Sequence, residues 1–422
     1  MGILIECRGF KLALVADVGS DRYGPYSQQL LKNGAGNSGG GFYFKYEAVF
    51  PLFLHVRFQE NFASHQGGAM FFGVCNGGVV VDKSVYVGNI AYEGAAIYFF
   101  AYNYGVTFAG SSFYVNSAEA SGGALFFASG NGMGLFMADN FVRLVGCNVT
   151  DNSAGGNSGG IHIFYENVME FQRCHFARNR ALLAGGVMEI NDQNVVDFMD
   201  CQLHNNSAKE GGALRSKTQN NIFVRDCSIS FNTADLNGGG VLSENDTLLY
   251  FFGDTILDGN EAGGMGGSVF LFGVTLWSLE DRGSVVFRNS RASHGSALAM
   301  VALKQNLSST LFGEAAELHD ISFEDNRAVT AGTVYWYFDP SREEGSLEPA
   351  GLHSDTLTWA RNFAPYGEQF CTQPVYLDVA NNASYDLTLY YTALEQVNEA
   401  IVYVIDIYIW NGMEGSCVNV HV

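Results

Sequence analysis

The chain has 422 residues, a formal net charge of −21, and 51 Gly and 33 Phe against only 15% charged residues. Nucleic acid and anionic membrane surfaces are disfavoured as partners, because phosphate binding needs clustered Lys and Arg and the sequence contains no such cluster. No apolar run reaches the roughly 20 residues of a membrane-spanning helix. Many glycines and aromatic residues with few charges are typical of a β-rich chain with tight turns.

Residues 1–24 begin with an apolar stretch that is interrupted by Glu6, Arg8 and Lys11. A secretion signal has an unbroken apolar segment, so this stretch does not predict one. Because the first residue already falls inside a strand-like pattern, we expect residues 1–24 to form a partial coil or cap. Either export uses another route or the sequence is a piece of a longer protein, and the second is favoured.

An Asn-x-Ala tripeptide recurs along residues 25–367, mostly at steps of 26 to 30 residues, with three steps of 36. A Gly or Gly-Gly pair follows each tripeptide, and a fixed period of this length predicts a solenoid. We therefore expect an all-β parallel β-helix of about twelve coils. The recurring residues are Asn33, Asn61, Asn89, Asn116, Asn152, Asn179, Asn206, Asn232, Asn260, Asn326 and Asn362, with Ser290 in the place of one Asn.

One period illustrates the expected coil. Cys174 and Phe176 alternate with polar neighbours and so share one face of a strand. Asn179 then turns the chain, and Gly185 and Gly186 supply another turn, where a positive φ costs little. About three short strands and three bends fill one period. Because Asn tolerates the left-handed conformation and its amide can bond to the next coil, we expect the Asn residues to form a structural ladder at one corner.

Four cysteines each lie five residues before an Asn of this series, in successive coils: Cys147, Cys174, Cys201 and Cys227. The favoured interpretation is a buried ladder of free thiols that act as small apolar side chains. Disulfides stay possible, because the coil spacing falls within the Cα separation that a disulfide spans. A metal site is disfavoured, since a straight column of thiolates is not tetrahedral.

Extra residues fall in the three long steps, at 128–140, 305–317 and 340–354, and are predicted to form surface loops. After residue 367 the period stops. Residues 368–422 alternate between apolar and polar residues in a way that indicates three or so strands. They are expected either to cap the last coil or to begin a β-sandwich domain that is cut short, and the second is favoured.

Five Asn-x-Ser/Thr sequons would accept glycans in a secreted eukaryotic protein. An Asn- and Ser-rich repeat also produces such sequons by chance. The acceptor residues are Asn148, Asn205, Asn245, Asn306 and Asn382.

Two short motifs accompany the period, FxxN and GGA followed by an aliphatic residue. FxxN begins at Phe58, Phe113, Phe176 and Phe323, and GGA begins at Gly67, Gly122 and Gly211. The pairing resembles the repeats of the polymorphic outer membrane proteins (Pmp) of chlamydiae and of pectin-lyase-like surface proteins of algae and other protists. The resemblance covers roughly residues 25–367. It implies a right-handed parallel β-helix displayed outside the cell, with adhesive or structural roles.

Two short motifs that suggest an enzyme do not have the secondary structure that those motifs require. The G-x-S-x-G pattern around Ser38 and Ser158 needs a strand before it and a helix after it in a hydrolase, but here strands are expected on both sides. The G-x-G-x-x-G pattern from Gly34 to Gly39 also lacks a following helix. The nine His residues show no recurring ligand spacing. No metal and no cofactor are predicted.

The best case for an enzyme is a set of charged residues in three neighbouring coils: Glu189, Arg215, Lys217 and Glu244. They follow the Gly turns and could line a shallow groove, where polysaccharide lyases and glycoside hydrolases built on parallel β-helices place their catalytic groups. The competing interpretation is a solvated face with ion pairs between coils, such as Glu189 with Arg215. Equivalent positions in other coils carry Phe, which suits packing or binding better than catalysis.

The sequence therefore favours a non-enzymatic cell-surface or secreted module with an adhesive or structural role, whose partners are cell-surface or matrix proteins or glycans. The alternative is a carbohydrate-active enzyme acting on an acidic polysaccharide. A strongly acidic protein binds polyanions poorly without Ca²⁺, and no Asp cluster for Ca²⁺ is evident.

Overall fold

A computed structural model describes residues 3–5, 13–15, 28–48, 50–131, 142–245, 247–272, 276–278, 284–301, 321–337, 357–365, 370–372, 386–397, 400–410 and 416–421. These residues form strands, turns and bends, and none of them lies in a helix. Accordingly, the described part of the chain holds no helix of the length and apolarity needed to cross a membrane.

The chain winds repeatedly through four parallel sheets, named A to D in the order in which it visits them. Each coil adds a strand to a sheet beside the equivalent strand of the previous coil. The predicted all-β parallel β-helix is confirmed: about nine turns form its regular part, and the number of coils differs only slightly from the predicted twelve. The expectation of three strands per coil is one too few, because a short strand of sheet D occupies part of the predicted bend.

In each coil, a strand of sheet A is followed by a corner and then by a strand of sheet B. Sheet A contains Ile3–Ile5, Phe42–Tyr46, Met70–Val74, Ile97–Ala101, Leu125–Ser129, Ile161–Tyr165, Met188–Asp192, Leu214–Thr218, Val241–Glu244, Val269–Phe272, Leu298–Val301, Val334–Tyr337 and Phe370–Thr372. Sheet B contains Ala13–Val15, Leu52–Leu54, Val80–Asp82, Thr107–Ala109, Val142–Val145, Val168–Gln172, Val195–Met199, Asn221–Arg225, Leu248–Phe252 and Leu276–Ser278.

Sheets C and D complete each coil. Sheet C contains Gln28–Leu31, Val56–Gln59, Val85–Val87, Ser112–Tyr114, Asn148–Thr150, His175–Ala177, Gln202–His204, Ser228–Ser230, Ile256–Asp258, Val285–Arg288, Ile321–Glu324 and Leu357–Ala360. Sheet D contains Gly34–Ala35, Phe62–Ala63, Ile90–Glu93, Ser117–Ser121, Ser153–Ala154, Arg180–Ala181, Ser207–Ala208, Thr233–Ala234, Glu261–Ala262, Arg291–His294 and Arg327–Ala331.

The core consists of columns of like side chains, which explains the large number of Phe. In sheet A, the rings of Phe44, Phe72 and Phe99 stack with centroids 4.8 Å apart at each step, and Phe127 follows at 4.9 Å. These steps match the separation of adjacent strands, because each coil places one ring above the last. All four rings are fully buried.

The Asn residues of the tripeptide lie one above another at the corner between sheets C and D. The side-chain oxygen of Asn89 accepts both the backbone N–H and the amide of Asn61, at 3.0 and 2.9 Å. Its own amide donates to Asn116 Oδ1 at 2.9 Å and to the carbonyl of Phe58 at 3.1 Å. The same side-chain bond links neighbouring members from Asn33 to Asn260, and links Asn326 to Asn362.

The left-handed residue at this corner is not the Asn, contrary to the reason given above for its recurrence. The preceding residue has the positive φ, including Val115 at 57° and Phe231 at 54°. The Asn follows with an ordinary φ and turns its amide inward. The corner therefore divides its two requirements between two residues, since one supplies the bend and the next satisfies the buried backbone.

Ser290 interrupts the Asn column, and Ser268 compensates for the missing amide. The amide of Asn260 donates to Ser268 Oγ at 3.2 Å, and Ser268 Oγ lies 2.7 Å from Ser290 Oγ. The backbone N–H of Ser290 still donates to Asn326 Oδ1 at 3.0 Å. The hydroxyl groups of Ser268 and Ser290 together thus take the place of one side-chain amide.

A second Asn column lies at the corner between sheets A and B and was not predicted from the sequence. It consists of Asn76, Asn103, Asn131, Asn167, Asn194 and Asn220. Each side-chain oxygen accepts the backbone N–H of the residue one coil earlier, as at the first column. No Ala marks these positions, so the tripeptide search passes over them.

The four cysteines of the series occupy the corner between sheets B and C, and they are free and buried. Their sulfur atoms take part in hydrogen bonds: Cys201 Sγ accepts the N–H of Cys174 at 3.4 Å and donates to the carbonyl of Phe171 at 3.3 Å. Ser84 and Ser111 fill equivalent corners with hydroxyl groups. The cysteines are therefore polar corner residues, and not only apolar filler as expected.

The two ends of the chain relate differently to the coils. Strands Ile3–Ile5 and Ala13–Val15 pair in register with sheets A and B, so part of residues 1–24 continues the winding. Strand Phe370–Thr372 still belongs to sheet A. Beyond it, Asp386–Val397, Ala400–Trp410 and Ser416–His421 form a three-stranded antiparallel sheet. Whether this sheet caps the coils or begins a sandwich stays a prediction.

Each of the three long steps begins after a strand of sheet A. They follow Leu125–Ser129, Leu298–Val301 and Val334–Tyr337, and the next described strands begin at Val142, Ile321 and Leu357. Most of the extra residues themselves, at 132–140, 305–317 and 340–354, lie outside the described residues.

Candidate functional site

The four charged residues proposed as weak catalytic candidates meet on the outer face of sheet A. Glu189 and Arg215 are register partners on adjacent strands, and Lys217 and Glu244 lie nearby on the same face. Glu189 follows Met188 in its strand and so points away from the core. It is nevertheless fully buried, which excludes the expected solvated face at this position.

The expected ion pair between Glu189 and Arg215 is present at 3.7 Å, but each of the two residues has a closer partner. The nearest cation to Glu189 is Lys217, whose Nζ lies 2.8 Å from Oε1, while Arg215 Nη1 lies at 3.7 Å. Arg215 instead donates through Nε and Nη2 to Glu244 at 3.1 and 3.3 Å, and its Nη1 lies 3.3 Å from Glu210. Arg215 is therefore shared among three carboxylates.

Two further residues, which were not among the candidates, complete this group. His162 is one coil earlier and is the register partner of Glu189, and its Nδ1 lies 3.8 Å from Glu189 Oε2. Ser158 Oγ lies 3.0 Å from the same Nδ1. The polar cluster is thus defined as Ser158, His162, Glu189, Glu210, Arg215, Lys217 and Glu244.

The carboxylate of Glu189 is poorly satisfied. Among the described residues, neither oxygen has a hydrogen-bond donor of acceptable geometry, although the 2.8 Å approach of Lys217 Nζ is close enough for an ion pair. The short distance to Lys217 Nζ shows that the charge of the Glu189 carboxylate is compensated. The missing hydrogen bonds show that the compensation is incomplete. A buried carboxylate held in this way is costly, so its cation must stay in place.

Burial shifts the pKa values of two side chains of the cluster, His162 and Glu244. It lowers the pKa of His162 to about 3, and the nearby charge of Lys217 acts in the same direction. His162 is therefore neutral at pH 7. Burial also raises the pKa of Glu244, against the opposing effect of Arg215.

The contact of Ser, His and Glu does not have the geometry of a catalytic triad. In a triad the serine and the acid engage opposite nitrogens of the imidazole, whereas here both lie nearest to Nδ1. Ser158 Oγ also accepts the backbone N–H of Glu189 at 2.8 Å and is buried. Ser158 thus ties its turn to the next strand. The most exposed side chains of the cluster are those of Lys217 and Glu210, at 33% and 28%.

Apolar columns flank the polar cluster on both sides along sheet A. The rings of Tyr43, Phe71, Tyr98 and Phe126 stack at 4.8, 5.6 and 4.8 Å, and the His162 ring stacks on Phe126 at 4.6 Å. On the other side, the buried set begins at Leu242 and continues to Phe270 and Tyr335. The cluster is therefore a polar interruption of an otherwise apolar column.

The remaining sequence features lie apart from this cluster. Asn148, Asn205 and Asn245 are exposed, whereas Asn306 and Asn382 lie outside the described residues. The G-x-S-x-G and G-x-G-x-x-G patterns are each followed by a strand of sheet A and not by a helix. Within the described residues, no group of three or more His, Cys, Asp or Glu side chains could hold a metal ion.

His175 and His204, which belong to no recurring ligand spacing in the sequence, lie in contact. Their ring centroids are 4.6 Å apart, although the residues occupy different register positions. Burial lowers the pKa of both side chains, and Arg178 adds to the effect. Register alone could not reveal the contact, because it depends on how the rings are turned across the strands.

Comparisons with protein-family models, with curated proteins and with solved structures found no match to this chain.

Proposed function

We propose that the chain is a non-enzymatic cell-surface or secreted β-helix module with an adhesive or structural role. The observation that carries this proposal is an exposed aromatic surface at the corner between sheets A and B. It comprises Tyr46, Phe50, Tyr102 and Tyr104, which are 48%, 61%, 53% and 40% exposed. This group is called the aromatic corner below.

The aromatic corner is built over residues that lack side chains. A Cβ atom added to Gly77 would collide with the Tyr104 ring, and one added to Gly78 would collide with Phe50. The two rings therefore come from the coils on either side and lie over the coil between them. Exposed Tyr and Phe side chains held in this way suit a binding surface, because large rings contribute area with few rotamers to immobilise.

The polar cluster supports a structural role more than a catalytic one. Its Ser158, His162 and Glu189 side chains are buried, and its arginine is shared among carboxylates. The Pmp-like repeat motifs and the exposed sequons at Asn148, Asn205 and Asn245 support an extracellular location. The high negative charge favours neutral or basic partners over polyanions.

The proposal is tested by presenting the immobilised chain to a glycan array and to cell-surface and matrix extracts. The wild type is expected to retain a partner, and Tyr102→Asn combined with Tyr104→Ser is expected to weaken binding at least tenfold. Phe231→Ser removes an equally exposed ring at a distant corner and serves as the matched control. Absence of any bound glycan or protein, or undiminished binding by the double variant, would contradict the proposal.

The alternative, a carbohydrate-active enzyme, is favoured by one observation: its four candidate residues do converge in space. Incubation with pectins and alginates, followed by chain-length analysis, separates the two functions. We expect no shortening of the polysaccharides. Cleavage that is lost in Lys217→Ala would establish the enzyme and overturn the non-enzymatic proposal.

A further inference from the structure

The histidine pair of sheet C has the geometry of a ligand pair. His175 and His204 lie on the adjacent strands His175–Ala177 and Gln202–His204. Their Nε2 atoms face each other at 2.5 Å. Two Nε2–H groups cannot point at each other at this distance, so at least one ring presents a lone pair to the space between them.

The surroundings orient the rings without enclosing them. Asn205 Nδ2 lies 2.9 Å from His204 Nδ1, so an amide contacts the ring nitrogen that points away from His175. Both imidazoles are partly exposed. The nearby Arg178 is paired through two hydrogen bonds of 2.7 Å with Asp151, which offsets its charge.

We propose that His175 and His204 form a two-histidine binding site for a late first-row divalent metal ion, such as Ni²⁺, Cu²⁺ or Zn²⁺. Imidazole nitrogen is the ligand that these ions share. With metal–nitrogen bonds of about 2.0–2.1 Å at a tetrahedral angle, the two Nε2 atoms would stand about 3.3 Å apart. The rings need to separate by less than about 1 Å from their present contact to admit the ion.

The site joins two successive coils and uses two protein ligands, with water in the remaining positions. Because a third His, Cys, Asp or Glu ligand is absent among the described residues, the affinity is expected in the micromolar range. The ion would bind only where the two coils are stacked, so it would stabilise the folded chain. The amide of Asn205 can turn its oxygen towards His204 Nδ1–H, which is the usual support of a metal-bound imidazole.

The test uses tag-free, metal-stripped chain with Cys75→Ser, since Cys75 is the one partly exposed thiol among the described free cysteines. Titration with Ni²⁺ followed by calorimetry is expected to give one site per chain with a micromolar Kd. His175→Ala and His204→Ala should each weaken binding at least tenfold and abolish the rise in Tm on adding Ni²⁺. His65→Ala, at an exposed histidine outside the pair, is the matched control and should change neither.

Two results would overturn the site: no saturable Ni²⁺ binding by the wild type, or binding that neither His175→Ala nor His204→Ala reduces. Circular dichroism and Tm without metal establish that each variant is folded. If an alanine variant is not folded, His175→Gln and His204→Gln replace it, because the amide keeps the polarity and much of the volume.

Discussion

At the scale of single residues, the corners separate the two demands that a sharp bend makes on the chain. The residue before each column residue adopts the left-handed conformation, and the column residue itself satisfies buried backbone groups. At several corners a Gly takes the first role, as Gly88 does with a φ of 64°. At the next coil Val115 takes it with a φ of 57°, although a β-branched side chain is strained there.

Val115→Gly is therefore expected to raise the free energy of unfolding by about 1 kcal/mol, since it relieves the strain of a left-handed β-branched residue. Val115 is exposed, so little buried area is lost. Denaturant unfolding measures the effect. Val87→Gly, in the neighbouring extended strand, is the control and should destabilise instead. A Val115→Gly variant that unfolds more easily than the wild type would contradict the assignment of strain.

His162 predicts a specific dependence of stability on pH. Its pKa falls from 6.5 to about 3 on folding, so the unfolded chain binds more protons between these values. The contribution of His162 to the free energy of unfolding is fully present above pH 6.5. As the pH falls from 6.5 towards 3, this contribution decreases by about 1.4 kcal/mol per pH unit.

The measurement is denaturant unfolding of the wild type and of His162→Gln between pH 7.5 and 4. Below pH 6.5, the difference between the unfolding free energies of the two proteins should change by about 1.4 kcal/mol per pH unit, as expected for the uptake of one proton. Parallel profiles for the wild type and His162→Gln would show that the buried imidazole does not titrate as stated.

At the scale of elements, the columns at the corners join the strands of successive coils. Asn179 donates to the carbonyl of Val149 at 2.8 Å and to Asn206 Oδ1 at 3.1 Å, and it accepts both the N–H and the amide of Asn152. Removing this side chain leaves buried groups unsatisfied in two neighbouring coils.

Asn179→Leu is accordingly expected to cost about 3 kcal/mol or more in the free energy of unfolding, from several unsatisfied buried groups at about 1 kcal/mol or more each. Asn148→Leu makes the same substitution at an exposed strand position one coil earlier, and should cost little. Chemical denaturation compares the two. Equal denaturation midpoints for both variants would contradict a stabilising role of the Asn column.

The cysteine column predicts that a hydroxyl can replace a thiol, whereas an apolar group cannot. Cys201→Ser retains an acceptor for the N–H of Cys174 and a donor to Phe171, as Ser84 and Ser111 do at equivalent corners. We expect a change of less than about 1 kcal/mol. Cys201→Val should cost about 1–3 kcal/mol more, because the buried N–H of Cys174 loses its acceptor. If thermal or denaturant unfolding shows that Cys201→Val is more stable than Cys201→Ser, the result would favour a purely apolar role for Cys201.

At the scale of the whole molecule, periodicity allowed the fold to be predicted without any related protein. The Asn-x-Ala repeat predicted the stacked coils and the residues of one column. The second column was missed, although Asn76 and Asn103 follow Asn61 and Asn89 by a nearly constant offset of 15 and 14 residues. Aligning the coils on the first column would have found it.

The candidate site was less predictable than the fold. Its four charged residues were selected because they follow the Gly turns, but their burial and their pairing depend on side chains from three coils. The preference of Glu189 for Lys217 over Arg215 arises because Glu210 and Glu244 compete for the arginine. The meeting of His175 and His204 also depends on ring orientation, which the repeat does not specify.

The central claim is that successive coils stack along one axis, so that distance grows with the number of coils and not with the number of residues. Pairs of spin labels at the exposed corner positions before the Asn column measure this directly by pulsed electron paramagnetic resonance. Labels carried by unnatural amino acids leave the native cysteines untouched.

With about 4.8 Å per coil, residues 115 and 231, four coils apart, should give about 19 Å between their backbones. Residues 60 and 231, six coils apart, should give about 29 Å, and residues 60 and 361, ten coils apart, about 48 Å. Distances that rise in this proportion would support the stacked solenoid. Distances that do not increase with coil number would contradict it.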